Sequence, residues 1–221
     1  MAFSHRYMNT STLPMLSVSL QVRMKTTRPV FPVPHPPIAT PRLRLRPIQR
    51  SDLAAFIVLR NQVGVMKWTS QGKPDADENA TQIWMNRFLP PNDATTFNFA
   101  VEERSLPGRA IGVMGCHVVE PPEVGYMFVK EAWGKGYATE AFQAWLQAYW
   151  QLPRKEVVIS EDDDGYTDTW MPEVLMADTV ENNLGSVRIL AKYGFQKVSE
   201  ELIVERGETV KLVHLQLARP G

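Results

Sequence analysis

The sequence predicts a mixed α/β fold, one central sheet of about seven strands flanked by about four helices, and three features carry that reading. Apolar residues recur with strand or helix period in the order β-α-α-β-β-β-α-β-α-β-β, which sets the strands in one sheet with helices on its faces. A strand, a loop with two glycines and an amphipathic helix follow one another over Val124–Trp150. The chain has 221 residues, 44% of them hydrophobic, enough for one sizeable core.

The elements come in order after an unlike beginning. Residues 1–51 hold eight Lys/Arg and no acidic residue, which leaves 16 basic and 24 acidic residues over 52–221, a net charge of −8. Seven of the 17 prolines lie between Pro29 and Pro47. Proline fixes φ and removes a donor, so residues 1–39 read as a disordered, basic, Pro-rich extension and the domain as 40–219. The absence of acids also suits a mitochondrial presequence, a second reading beside a plain tail. Thr40 to Arg46 alternates apolar and basic residues, as a strand with one face on a core does. Ser51-Asp52 caps a helix to about Asn61, Gly72-Lys73-Pro74-Asp75 breaks the chain, and Asp77–Leu89 is a second helix. Phe97–Glu103 and Ala110–Val119 form a hairpin about Leu106-Pro107-Gly108, and Val124–Val129 is an almost wholly apolar strand. Tyr137–Trp150 sets Ala138, Ala141, Phe142, Trp145 and Tyr149 on one helical face. Residues 151–173, with the run Glu161-Asp162-Asp163-Asp164-Gly165, read as an acidic insertion loop. Leu175–Val180 is a strand, Ser186–Tyr193 a helix ended by Gly194, and Phe195–Glu201 with Val210–Leu217 a closing hairpin.

Composition excludes several function classes. A formal net charge of zero removes the electrostatic case for nucleic acid. No run approaches the roughly 18 apolar residues of a spanning helix, so no membrane role is expected. The single cysteine, Cys116, cannot form an internal disulfide, which points to a reducing, cytoplasmic setting. The four histidines stand far apart and the Asp-rich loop lacks a closing glutamate, so no metal is expected. There is no Gly-x-Ser-x-Gly elbow, and His117, adjacent to Cys116 on a strand, faces the other way. Trp68, Trp84 and Trp170 are core or substrate-wall residues, which the sequence does not separate.

The chemistry lies in the loop Lys130–Gly136. Glycines at 134 and 136 before a helix leave backbone N–H groups open at its N-terminus, where the partial positive charge attracts phosphate. No Ser/Thr follows Gly-Lys as a P-loop requires, and Thr139 occupies the third glycine position of a dinucleotide fingerprint. An anion-binding strand–loop–helix remains, or a plain surface turn.

Glu123-Val124-Gly125-Tyr126, followed by Trp133-Gly134-Lys135-Gly136-Tyr137-Ala138-Thr139-Glu140-Ala141, resembles the acetyl-CoA signature of the GNAT acetyltransferase superfamily, in the branch of the ribosomal-protein N-terminal acetyltransferases. Thr40–Arg46 with Ser51-Asp52-Leu53 resembles that branch's opening strand and helix, and Asn183-Leu184-Gly185-Ser186 leading to Lys192-Tyr193-Gly194-Phe195 its late Asn-x-x-Ser … Gly-Phe motif. The resemblance spans about residues 40–217.

It implies a single GNAT-like domain that moves an acetyl group directly from acetyl-CoA to a primary amine, either a peptide N-terminus or a small molecule. A non-catalytic acyl-CoA-binding member of the same fold is the alternative. The resemblance lays the pantetheine arm along the Tyr126–Lys130 strand (Met127, Phe128, Val129) and the pyrophosphate on the amides of Trp133 to Ala138, with Thr139 beside them. Asn183 and Ser186 bind the acyl-pantetheine end, although both also suit simple helix capping. Glu123 is the expected base and a main-chain N–H of 127–129 the oxyanion donor. Relatives place a tyrosine acid four residues before the Gly of Gly-Phe, and here that position is Leu190. Ser186 is therefore the substitute donor to the leaving sulfur, and Tyr193, one turn further along, a weaker candidate. Glu131 replaces the Arg/Gln that often opens the phosphate loop. The expected assembly is a monomer or homodimer.

Overall fold

A computed structural model describes residues 22–160, 167–205 and 208–221. In chain order the elements are β1 (Val22–Pro29), β2 (Ile38–Ala39), β3 (Leu43–Pro47), α1 (Leu53–Arg60), α2 (Val63–Met66), α3 (Glu78–Asn86), β4 (Phe97–Glu103), β5 (Ala110–Val119) and β6 (Pro122–Phe128). They continue with α4 (Tyr137–Gln151), β7 (Arg154–Ser160), β8 (Thr167–Trp170), β9 (Val174–Val180), α5 (Leu184–Lys192), β10 (Gln196–Glu205) and β11 (Glu208–Ala218). An eight-stranded mixed sheet runs β10-β11-β9-β6-β5-β4-β3-β2, and a three-stranded sheet runs β7-β1-β8. The expected strands and helices are all present.

Two apolar layers hold the large sheet. On one face, α4 turns Ala141, Phe142, Trp145, Leu146 and Tyr149 into a core with Leu43, Phe97, Phe99, Val124 and Phe128. Burying a side chain of that size stabilises by about 1.5–3 kcal/mol. The Trp145 indole N–H donates to the Phe97 carbonyl (3.1 Å), so the largest of these residues leaves no polar atom stranded. On the other face Phe56 and Leu59 of α1 and Met85 of α3 pack with Ala100 and Val113.

The large sheet has one weak seam. β6 and β9 are parallel neighbours whose register consists of a single pair, Glu123 with Met176. β5 and β6, by contrast, pair along their length. Beyond Glu123 the edge of β6 therefore faces a gap.

Two expectations change. The extension 1–39 and the insertion 151–173 were read as lacking regular structure, yet β1 lies between β7, antiparallel, and β8, parallel. Polar side chains tie them together and to the large sheet: Arg23 and Lys25 bind Asp168 of β8, Thr27 donates to Glu173 (2.6 Å), which Arg154 of β7 also holds (2.9 Å), and Arg28 binds Glu120 between β5 and β6 (2.6 Å). Residues 1–21 and the acidic run at 161–166 lie outside the described residues. Asp52, expected to cap α1, instead accepts two hydrogen bonds from Arg46 (2.7 and 2.8 Å) and one from the Gln49 N–H. A buried guanidinium needs that carboxylate more than an exposed helix end does.

Candidate active site

The phosphate-type loop is built by its glycines. After β6, a single 3-10 turn over Lys130–Ala132 is held by Gln62, which accepts from the Lys130 N–H (2.7 Å) and donates to Glu131 (3.1 Å). Gly134 and Gly136 adopt φ of 72° and 77°, a region a Cβ disfavours, and Gly136 is the N-cap of α4. The Trp133 N–H is spent on the Lys130 carbonyl (3.1 Å), which removes it from the expected set of anion donors. The amides of Gly134 to Thr139 meet no acceptor among the described residues, and they cluster at the positive end of a 15-residue helix. A diphosphate fits such a cradle.

Sequence reasoning missed the clamp behind this loop. Arg42 donates to the Lys135 carbonyl (2.9 Å) and to Glu140 (2.6 Å), while Thr40 also donates to Glu140 (2.6 Å). Those contacts join β3's approach to the first turn of α4. Arg42 was legible only as one member of an alternating strand, because pattern does not disclose a partner 98 residues away. The Tyr137 hydroxyl turns away from the loop to Glu103 (3.0 Å).

The strand leading to the loop alternates its main chain. The Val129 N–H donates to Ile111 of β5 (2.9 Å), and Met127 lies opposite Val113. In an antiparallel ladder, every second residue turns its N–H and C=O to the same neighbour. Met127 and Val129 are therefore committed to β5, while Tyr126 and Phe128 present their amides to the gap. The expected oxyanion donor within 127–129 narrows to Phe128.

Glu123 stands where the seam closes. Its side chain shares a sheet face with Met176 and Asp178, and Asp178 faces His214 across β9 and β11 (Oδ1 to Nδ1, 2.9 Å). Burial pushes the Glu123 carboxyl above its usual 4.5, the Asp178 charge adds to that, and His214 opposes it. A carboxylate raised in this way is a better base near neutrality.

On the opposite face, Asn183 caps α5 by accepting from the Ser186 N–H (3.4 Å), so its capping role is real, and both residues line the cleft. Tyr193 is not brought to this group. Its hydroxyl donates to the Thr139 carbonyl (3.0 Å) and its ring stacks on Phe142, so it ties α5 to the first turn of α4. Seven residues of helix separate it from Ser186, about 10 Å. It positions the loop; it does not reach the chemistry.

One cleft of about 1920 Å³ joins Glu123, Phe128, the glycine loop, Asn183 and Ser186. Trp68, Trp84 and Arg60 wall its far side, whereas Trp170 lies on β8. Arg60 lies 4.4 Å above the Trp84 ring and grips Asp75 with two hydrogen bonds of 2.6 Å. Burial raises the Asp75 carboxyl, but hydrogen bonds from Arg60, Thr81 and Gln71 outweigh it and hold the group at about 2. Cys116 is buried in the core and does not line the cleft.

A sheet split beside a glycine-rich helix N-terminus leaves room for an extended ligand that ends in phosphate. The chain belongs to the GNAT acetyltransferase family, since residues 42–196 match its model, described as an acetyltransferase (GNAT) domain. The family uses acetyl-CoA. Among individual proteins, the chain is 32% identical over 115 residues to the uncharacterized protein YkkB of Bacillus subtilis (strain 168); the match takes in 49% of this chain and 65% of that one, just under two thirds of its length. The fold is similar to RimL, a ribosomal L7/L12 alpha-N-protein acetyltransferase solved with coenzyme A (TM-score 0.64, 13% identity, 83% of this chain and 98% of that one). It is also similar to a spermidine N-acetyltransferase from Vibrio cholerae solved with CoA and spermine (TM-score 0.62, 15% identity, 81% and 97%).

Proposed function

We propose that this protein is an N-acetyltransferase that moves an acetyl group from acetyl-CoA directly to a primary amine, both substrates being bound together. The observation that carries the reading is the single β6–β9 pair: past Glu123, the sheet leaves room for an extended substrate to run as an added strand. That gap leads from the open amides of the glycine loop to a carboxylate of raised pKa.

Each residue then has a task. The amides of Gly134 to Thr139 bind the diphosphate, while Arg42 holds the loop through the Lys135 carbonyl. Glu123 takes a proton from the attacking nitrogen, directly or through a water. The Phe128 N–H points to the oxygen that gains charge, and Ser186 faces the leaving sulfur. The acceptor is an amine, as it is by name for the protein and spermidine acetyltransferases of similar fold. Glu123 and Asp178 on the acceptor side of the sheet suit a cationic amine that must lose a proton before it attacks.

Release of free thiol from acetyl-CoA, followed against a panel of amines and peptide N-termini, tests this. Release requires an amine, with no burst in its absence, and Glu123→Gln lowers kcat by about 10²–10⁴-fold. In the wild type kcat/KM falls as pH drops through the raised Glu123 value, and the substitution removes that limb. Turnover unaffected by Glu123→Gln, or none with any amine, favours the non-catalytic acyl-CoA-binding alternative.

A further inference from the structure

The charges that line the cleft are sorted by wall. Arg60, Lys73, Asp75 and Arg87 stand on the wall built by α1, α3 and the segment between them, three cations to one carboxylate. Glu123 and Asp178 stand on strands β6 and β9. Arg188 lies on α5 with Ser186, on the side proposed for the coenzyme.

The first two walls face the same space. Val124 and Phe128 of β6 belong to the α4 core, so Glu123 and Met127 point to the other face of the sheet. Met127 packs there with Trp84 of α3 and Phe88 just beyond it. Leu175 and Ala177 lie in the α4 core too, which puts Asp178 on the side of Glu123. Gly125, between Glu123 and Met127, has no side chain to fill the floor of the cleft.

Asp75 is fully engaged, accepting from Arg60 twice and from Thr81 and Gln71. Asp178 faces His214. Arg87, the C-cap of α3, has no carboxylate partner among the described residues. Its Nε donates to the Trp84 carbonyl at 3.4 Å, its guanidinium lies 5.4 Å from the Phe88 ring centre, and its terminal nitrogens meet no acceptor among those residues. Burial lowers its pKa, the Arg60 charge adds to that, and no carboxylate opposes them. A guanidinium stays charged all the same, so an anion entering the cleft relieves the repulsion and meets a planar fork suited to a carboxylate.

Resting on the acetyltransferase reading, we infer that Arg87 selects the acceptor: an amine that also carries a carboxylate, its acid group held by Arg87 while its nitrogen faces Glu123. Such a zwitterion meets opposite charge on both walls, whereas a polyamine meets like charge at Arg87. The α-carboxylate of a free amino acid and the side chain of an acidic residue in a peptide offer the same group.

Thiol release is followed for the wild type, Arg87→Gln and Arg87→Glu, each as the full chain. One arm pairs free amino acids with their α-amides. The other pairs C-terminally amidated tripeptides that carry glutamate or glutamine in second place, and spermidine runs beside both. In at least one arm the wild type prefers the carboxylate member by about 10- to 100-fold in kcat/KM. Arg87→Gln abolishes that preference by raising KM for the carboxylate member and leaves the neutral member unchanged. Arg87→Glu inverts the preference and improves spermidine. The acetyl-CoA KM and the melting temperature stay at wild-type values in both variants. Equal rates within both pairs, or a preference that survives Arg87→Gln, overturn the inference. A loss on neutral and acidic members alike marks a structural role and overturns it too, as does a raised acetyl-CoA KM, which puts Arg87 on a coenzyme phosphate. A wild-type chain that binds CoA in calorimetry but acetylates no member overturns it as well. One that binds no CoA defeats the acetyltransferase reading itself, and this inference with it.

Discussion

His35 shows how a single side chain can tie an apparent tail to a core. It is buried against Phe97 and Phe99, with ring centroids at 5.3 and 5.6 Å. Burial lowers its pKa below 6.5, with hydrogen bonding to the Pro32 backbone, the Asp93 charge and the Thr96 backbone opposing. A lowered folded value means that the unfolded chain binds the proton more readily, so stability is full above pH 6.5 and lost as pH falls below it. The slope approaches about 1.4 kcal/mol per pH unit until the folded value is reached. His35→Phe keeps the aromatic packing and removes the titration. Urea unfolding at about pH 7.5 and about pH 5.5 is expected to show the wild type losing more stability than the variant; equal losses refute the assignment. In the sequence His35 was one histidine among prolines. Proline density is a local signal, and it is silent on which aromatic rings the extended segment will meet.

At the level of elements, whatever local period determines was readable and whatever distant pairing determines was not. α4 shows its buried stripe in five residues, and β4, β5 and β6 declare themselves by apolar runs between turns. β1, β7 and β8 do not. Arg23, Lys25 and Arg28 make β1 look like a solvated basic tail, and Arg154-Lys155-Glu156 does the same for the start of β7. Their strand character comes from each other: β1 supplies the edge, and Asp168 and Glu173 supply partners for Arg23, Thr27 and Arg154. The basic beginning and the acidic insertion were each visible, but not the complementarity that joins them. Phe31, stacked on Phe97 at 5.7 Å, completes the attachment. Deleting residues 1–39 is therefore expected to destabilise the domain by about 3 kcal/mol or more. Scanning calorimetry should find Tm lower by roughly 6–12 °C. An unchanged Tm shows that β1 and residues 30–39 add nothing to the fold.

For the whole molecule, the proposed function rests on a sheet that does not close. The glycine loop was legible because two glycines stand before an amphipathic helix, whereas Glu123 was singled out by the family resemblance alone. The seam between β6 and β9 was not legible, since both strands read simply as strands. Tyr193 was misjudged for the same reason: a motif places a tyrosine on a helix, and only the packed structure shows its hydroxyl spent on the Thr139 carbonyl. The seam has a consequence readable amide by amide. Val129 is bonded to β5 and Met127 lies in the same ladder, whereas Tyr126 and Phe128 face the gap, as do the loop amides from Gly134 to Thr139. If acetyl-CoA lies along β6, hydrogen exchange at Tyr126 and Phe128 slows by roughly tenfold or more with saturating ligand, and the loop amides slow with them. Met127 and Val129 change little, because their acceptors are already in place. Slowing spread evenly over the four strand residues indicates general stiffening instead, and none at all puts the ligand somewhere other than the seam.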